Sequence, residues 1–307
     1  MGHFSVKRPI IWTIGGGKGG IGKSFIACNL GVCLSRSGKK VLLVDADFGA
    51  ANLHTFLRAN GAPYPLSSFL NGKLFDIHNV IAKTPIHNLD LISGAKDSLN
   101  ITDFDENNLH RLYETLRRLE YNYILLDIGP GTSSKMLNLF IAADEGLLIV
   151  LPEPTSIENT FRFLKSLFLY KMKIILDSNE EGQVKDILKK IFSYNKGSKV
   201  KSIADVFIQL GELDNQGKIL KSIMGNIDIS ITVNQTKKPE DADIGWTLQR
   251  ACHDYFGFEI GYLGHICYDN CVGDSIRYMK PLNIHYNQSV AAKAVVSIAD
   301  KLLKKNN

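Results

Sequence analysis

Residues 17–24, GKGGIGKS, follow the spacing G-x-x-x-x-G-K-S between an apolar segment and a helical one. Glycines let backbone N–H groups turn inward around phosphate oxygens without Cβ clashes, and a helix that begins near Gly22 directs its positive end at an anion. In such a loop Lys23 reaches the β- and γ-phosphates of a nucleotide, and Ser24 ligates Mg²⁺. The pattern therefore predicts nucleotide binding by Gly17, Lys18, Gly19, Gly20, Ile21, Gly22, Lys23 and Ser24.

Three aspartates and one asparagine follow other apolar segments, at the points where predicted strands end. Asp45 comes directly after VLLV and Asp47 two residues later, Asp127 ends YILLD and Asn234 ends ITVN. The carboxyl ends of parallel strands form the ligand-binding edge of an open α/β sheet, so we expect these side chains near the phosphates. Local roles remain as alternatives: turn or capping residues for the three aspartates and a turn residue for the asparagine.

Apolar segments alternate with helical ones along the chain. The predicted strands are IIWTI, KVLLVDAD, NLDLISGA, YILLDIG, EGLLIVLPEP, IDISITVNQ and IGYLGHI. Strands without polar alternation, separated by helices of ten or more residues, indicate a parallel sheet covered on both faces. We predict a doubly wound, mostly parallel α/β fold of the P-loop NTPase kind. It forms one domain over residues 1–307, with an extra helical insertion at about residues 171–226.

The second lysine of the loop, Lys18, is a feature that most phosphate loops lack. The segment KGGIGKS is the deviant Walker A form that marks the MinD/ParA family of P-loop ATPases, and the chain resembles that family. The resemblance implies that Lys18 reaches the ATP of the other subunit across a two-fold interface, so that ATP binding forms a homodimer. A cation delivered in trans neutralises charge on the transferred phosphoryl group. Contact of Lys18 with its own phosphates or with solvent is the alternative.

The same resemblance implies roles for the acidic residues. Asp47 would position the attacking water and, with the two loop lysines, act in catalysis. Asp127 resembles the Walker B carboxylate, which faces a Mg²⁺-bound water, and the glycines around Pro130 would let the following loop sense the γ-phosphate. The implied metal site comprises Ser24, Asp45 and Asp127.

The nucleotide base has two expected neighbours. Asn234 matches the asparagine that binds adenine in the family, because a side-chain amide offers a donor and an acceptor together. Cys267 stands where the family usually has proline, and we expect its loop to line the base.

Longer segments narrow the resemblance. DADFGAANL, DIGPGTSSKMLNLF and YLGHICYDNCVGDSIRYM are similar to the FlhG/FleN branch, which sets flagellar number and position. The similarity covers roughly residues 10–169 and 227–303. It implies an ATPase that hydrolyses ATP slowly and serves as a dimerisation switch, with a protein partner and a flagellar or cell-division-like positioning role.

Three other functions are alternatives. A ParA-like DNA-partitioning ATPase needs a basic DNA-binding face, for which the lysines of the insertion are the candidate. An iron–sulfur carrier needs closer cysteine ligands than the C-x3-C pair Cys267 and Cys271. A non-hydrolysing binding module is disfavoured because the acidic and basic residues of the site are all present.

Composition limits the class of protein. The chain has 307 residues, 45% of them hydrophobic, a net charge of +5 and five cysteines, which indicates a globular protein of a reducing compartment. No apolar run is long enough to cross a bilayer, so we expect a cytoplasmic protein, with peripheral membrane contact left open. The last segment, VAAKAVVSIADKLLKKNN, has an apolar helical stripe that we interpret as core-facing rather than membrane-facing.

Overall fold

The structure is a computed structural model that describes residues 8–48, 50–94, 106–178, 182–193, 223, 228–256 and 258–305. Its centre is a sheet of eight strands in the order β3-β4-β2-β5-β1-β6-β7-β8. All neighbouring pairs are parallel except β3 and β4, which are antiparallel. The strands are Ile10–Gly15 (β1), Val41–Ala46 (β2), Ile81–Lys83 (β3), Leu89–Ser93 (β4), Tyr123–Ile128 (β5), Glu145–Val150 (β6), Asp228–Thr236 (β7) and Gly261–Cys267 (β8).

Helices cover both faces of the sheet, as crossover connections between parallel strands require. They are Lys23–Arg36 (α1), Leu53–Leu57 (α2), Leu66–Leu70 (α3), Glu106–Leu116 (α4), Ser134–Ile141 (α5), Pro154–Asp177 (α6), Gln183–Ser193 (α7), Pro239–Phe256 (α8), Asn270–Arg277 (α9), Leu282–His285 (α10) and Val290–Lys305 (α11), with a 3₁₀ turn at Ile77–Val80. One apolar layer contains side chains of α1, α2, α10 and α11, and the other contains side chains of α3 to α8.

The central strands are buried on both faces. Every residue of β2, β5 and β6 is buried, which explains why these segments show no polar alternation. Parallel pairing brings the carboxyl ends of β1, β2 and β5 to one edge, where Asp45 pairs with Asp127 in register. The predicted fold class is confirmed, and the seven predicted strands are all present.

Two features of the fold differ from the sequence-based expectation or go beyond it. Strand β3 was not predicted, because three residues are too short a segment for periodicity to be detected. Helix α6 continues unbroken from Pro154 to Asp177. Residues 171–177, which we predicted as the start of the insertion, are therefore the last residues of this helix. The segment VKDILKKIFSY forms α7, whereas SIADVFIQL and most of KILKSIMG lie outside the described residues.

The terminal helix α11 is part of the core. Its apolar stripe, which includes Val295, Ile298 and Leu302, is buried, and the helix packs against β8 and α1. Lys305 forms ion pairs with Glu145 at 3.0 Å and with Asp228 at 2.6 Å, which ties the helix to the starts of β6 and β7. The core-facing interpretation is therefore confirmed. Among the described helices, none combines the length and the apolar character that a membrane crossing requires.

Candidate functional site

The glycine loop joins the end of β1 to the start of α1 and owes its shape to positions where only glycine fits. Gly20 and Gly22 have φ values of 76° and 96°, in the left-handed region that side chains disfavour. A Cβ on Gly22 would lie 2.5 Å from Nδ2 of Asn234, and a Cβ on Gly17 would lie 2.3 Å from the carbonyl oxygen of Asn159. The loop is thus packed between β7 and α6, which holds its backbone in the conformation expected of a phosphate cradle.

Lys23 is the first helical residue of α1 and lies under the loop. It is only 6% exposed, and its Nζ donates to the carbonyl oxygen of Lys18 at 3.4 Å. Burial lowers the pKa of Lys23, whereas the negative charges of Asp127 and Asp47 oppose that change. The buried ammonium therefore lies within electrostatic range of both carboxylates, inside the turn of the loop.

Asp127 is the next-to-last residue of β5 and is the most informative carboxylate of the site. It is 1% exposed, and neither of its oxygens has a hydrogen-bond partner of good geometry among the described residues, although the Ser24 side chain lies close enough to lower its pKa. Burial, with the charge of Asp45, raises its pKa to about 7 against the opposing effect of Ser24 and Lys23. A buried carboxylate without partners beside a hydroxyl matches the oxygen donors that Mg²⁺ prefers, so these residues fit a magnesium-bound nucleotide.

Asp45 is engaged in a different way. Its oxygens accept hydrogen bonds from the backbone N–H groups of Asn52 at 2.8 Å, Leu53 at 2.9 Å and Asp47 at 3.3 Å. The carboxylate therefore caps the segment that begins α2, the local role that the sequence left open. Burial raises its pKa to about 6 despite these hydrogen bonds. Membership of Asp45 in the magnesium network stays a prediction.

Asp47 links the two loops that follow β2 and β5. A Cβ placed on Gly129 would lie 3.0 Å from Oδ1 of Asp47, so the carboxylate packs directly against the glycine that follows Asp127's strand. Gly131, with a φ of 98°, allows the chain to turn away after Pro130. Asp47 is only partly buried.

Lys18 lies on the outside of the loop and is held by its own chain. Its Nζ forms an ion pair with Oε2 of Glu153 at 3.2 Å and a hydrogen bond with Oγ1 of Thr155 at 3.4 Å. The side chain is 41% exposed. Glu153 and Thr155, which lie directly before α6 and at its start, were not predicted as site residues.

The side chain of Asn234 contacts the phosphate loop. It is 6% exposed, and its Nδ2 donates to the carbonyl oxygen of Ile21 at 2.9 Å. Beside it lies a cavity of about 310 Å³, lined by residues of the loop, α1, the end of β7 and the β8–α9 connection: Gly20, Gly22, Phe25, Asn234, Gln235, Cys267, Tyr268, Asp269, Asn270, Val272, Gly273 and Ile276. Its volume lies within the usual range for small-molecule sites, and it adjoins the loop, where a nucleotide base is expected.

A larger cleft of about 750 Å³ lies at the opposite edge of the sheet. It is lined by residues that precede β2, β4 and β5, among them Lys40, Asn88 and Tyr121. Because ligands of open α/β sheets bind at the carboxyl ends of the strands, we place the functional site at the glycine loop and not in this cleft.

Comparison with known proteins identifies relatives of this amino-acid sequence. The family described as an AAA domain matches residues 10–181. A putative septum site-determining protein MinD from Oltmannsiellopsis viridis is 32% identical over 176 residues, which cover 55% of this chain and 54% of that protein. The antiactivator FleN of Pseudomonas aeruginosa is 27% identical over 170 residues, 54% of this chain and 60% of its own length. The chain thus spans little more than half the length of these relatives.

Among solved structures, the septum site-determining protein MinD of Pyrococcus horikoshii, complexed with Mg-ADP, has the same fold. It superposes with a TM-score of 0.65 at 21% identity, and the superposition covers 96% of both chains. The shared feature is the fold, an α/β sheet with helices on both faces.

Proposed function

Because the chain belongs to the AAA domain family matched over residues 10–181, and within it to the MinD/ParA P-loop ATPases, we propose that it binds Mg²⁺ and ATP and hydrolyses ATP slowly as a dimerisation switch. The observation that carries this proposal is the buried carboxylate of Asp127. It lacks a hydrogen-bond partner among the described residues and lies beside Ser24 and Lys23 at the foot of the glycine loop.

The chemistry assigned to the chain's own residues follows from their positions. Ser24 and Asp127 would hold Mg²⁺, which supplies charge neutralisation at the phosphates when bound. Lys23, already buried inside the loop, would bind the β- and γ-phosphates in place of the Lys18 carbonyl oxygen. Asp47, which is partly buried beside Gly129, would orient the attacking water.

Dimerisation is assigned to Lys18. In the single chain its ammonium is held by Glu153 on the outer side of the loop, in a partly exposed ion pair of the kind that contributes about 0–1 kcal/mol. Because this ion pair is weak, the Lys18 ammonium can leave Glu153 and bind the nucleotide phosphates of a second subunit, which carry more negative charge than one carboxylate. We propose that this exchange couples ATP binding to pairing of two chains.

The proposed partners bind the face around the base cavity. Four large hydrophobic side chains are exposed on the β8–α9–α10 segment: Tyr268 and Ile276, which line the cavity, and Tyr278 and Met279, which follow α9. Exposed aromatic and methionine side chains are enriched in protein interfaces. We propose a protein partner and a cytoplasmic positioning role, with flagellar placement the form that the resemblance to FleN favours.

The experiment is the oligomeric state with Mg²⁺ and ATP against Mg²⁺ and ADP, measured by light scattering, for the wild type and Lys18→Ala. We expect a dimer of the wild type with ATP only, and a monomer of the variant that still binds ATP. Lys165→Ala, a lysine of α6, is the control and should still dimerise. A wild-type monomer with both nucleotides would contradict the switch, and ATP-dependent, salt-sensitive DNA binding would favour the ParA-like alternative instead.

A further inference from the structure

Gln235, next to Asn234, has an unusual backbone. Its φ is 59°, in the left-handed region, where residues other than glycine are uncommon. It lies at an irregularity in the pairing of β7 with β8, since Asn234 pairs with Ile266 and Thr236 pairs with Cys267. Gln235 is therefore an extra residue with no counterpart on β8, the arrangement of a β-bulge.

The bulge changes which residues of β7 line the cavity. Successive residues of a regular strand point to opposite faces, so Asn234 and Gln235 would lie on different sides of the sheet. In this structure both line the cavity of about 310 Å³ beside the phosphate loop. Bulges often redirect a side chain next to a functional site, and strained backbone is concentrated there.

The side-chain amides of Asn234 and Gln235 differ in their contacts. The Asn234 amide is buried and donates to the Ile21 carbonyl oxygen at 2.9 Å, so it fastens β7 to the phosphate loop. Gln235 is only partly buried, and within the described residues its side-chain amide makes no hydrogen bond. Of the two, Gln235 has the whole amide, donor and acceptor, available to a ligand in the cavity.

We propose that Gln235 is a base-specificity residue that binds the N6/N7 edge of adenine. A carboxamide can donate to N7 and accept from the N6 amino group at once, as glutamine does with adenine in nucleic acids. Guanine presents acceptors at both O6 and N7, so the amide oxygen would face O6 without a hydrogen bond. This inference rests on the proposed nucleotide-binding function and adds to it the residue that discriminates between the two purines.

The test compares the Kd values of ADP and GDP, each with Mg²⁺, by isothermal titration calorimetry. Gln235→Leu keeps the bulk of the side chain and removes the amide, and Gln235→Gly removes the side chain while fitting the left-handed backbone. Both variants should lower the ratio of the GDP Kd to the ADP Kd by about 5- to 150-fold, mainly through weaker ADP binding. Gln288→Leu, an exposed glutamine outside the cavity, should leave the ratio unchanged.

The possible results distinguish a failure of the Gln235 role from a failure of the proposed nucleotide binding. A ratio within about twofold of the wild-type value in both variants would overturn the role of Gln235, as would an equal loss of ADP and GDP, which indicates a purely structural bulge. If the wild type bound neither nucleotide, the proposed function itself would fail, and the specificity role with it.

Discussion

Replacing Asp127 with asparagine should stabilise the protein in the absence of nucleotide. The residue is buried, its oxygens have no hydrogen-bond partner among the described residues, and its pKa is raised from 3.8 to about 7. That difference means that the ionised carboxylate costs the folded state about 4 kcal/mol once it is fully charged. Asparagine has the same shape and carries no charge, so Asp127→Asn removes this cost.

The sign of the pH dependence follows from the raised pKa. Below about pH 4 the carboxyl group is protonated in both the folded and the unfolded state, and the full stability is present. As pH rises toward 7 the unfolded state loses its proton first, so the free energy of unfolding of the wild type falls by about 1.4 kcal/mol per pH unit from this group. The variant lacks this loss, and its advantage should grow from about 2 kcal/mol at pH 5 to about 4 kcal/mol at pH 8.

Thermal unfolding provides the assay. With about 2.1 cal/mol/K of unfolding entropy per residue, 4 kcal/mol corresponds to a rise of about 6 °C in Tm for a chain of this length. The unpaired amide of the asparagine reduces this gain, so 6 °C is an upper value. Asp254→Asn, on the exposed face of α8, is the control and should change Tm little at either pH.

Stabilisation of the protein by Mg²⁺ and ADP tests the role of Asp127 in a second way. Mg²⁺ with ADP should raise the Tm of the wild type and leave that of Asp127→Asn nearly unchanged, because the carboxylate that would hold the metal is gone. A variant that is less stable than the wild type at pH 8, or an advantage that does not depend on pH, would refute the reasoning that buried charge dominates at this position.

Two further predictions concern neighbouring residues. Asp47→Asn should lower the rate of ATP hydrolysis by about 10²- to 10⁴-fold with little change in the Kd of ATP, because a water-positioning group acts on the chemical step; a rate equal to that of the wild type would remove Asp47 from catalysis. Gly22→Ala should lower the free energy of unfolding by about 1–3 kcal/mol and weaken nucleotide binding, because its φ is 96° and the new Cβ would lie 2.5 Å from the Asn234 amide. Gly273→Ala is the matched control in chemical denaturation, since its Cβ meets nothing within 4 Å and alanine favours a helix; equal effects of the two glycine variants would contradict the steric argument.

Much of the site was predictable because its parts are local in sequence. The glycine loop, Lys23 and Ser24 occupy consecutive positions between a strand and a helix, and the left-handed backbone at Gly20 and Gly22 is a local requirement of the turn. The strand-end positions of Asp45, Asp127 and Asn234 followed from apolar segments that end in a polar residue, together with the rule that parallel strands expose their carboxyl ends at one edge.

Other features depended on contacts between residues distant in sequence. The ion pair of Lys18 with Glu153 joins residues 135 positions apart, and the Asn234 amide meets the Ile21 carbonyl oxygen across 213 positions. The antiparallel pairing of the three-residue strand β3 with β4 and the capping of α2 by Asp45 likewise appear only when neighbouring segments are in place.

The sequence alone therefore determined the fold class, the phosphate loop and the strand ends at which the carboxylates lie, because periodicity and backbone sterics act over a few residues. The tertiary structure decided which of those polar groups are already satisfied and which remain available. Asp45 is engaged by three backbone N–H groups, whereas the oxygens of Asp127 find no partner in the described part of the chain. Hydrogen bonding and desolvation depend on what packs around a group in three dimensions, and neighbours along the chain do not specify that packing.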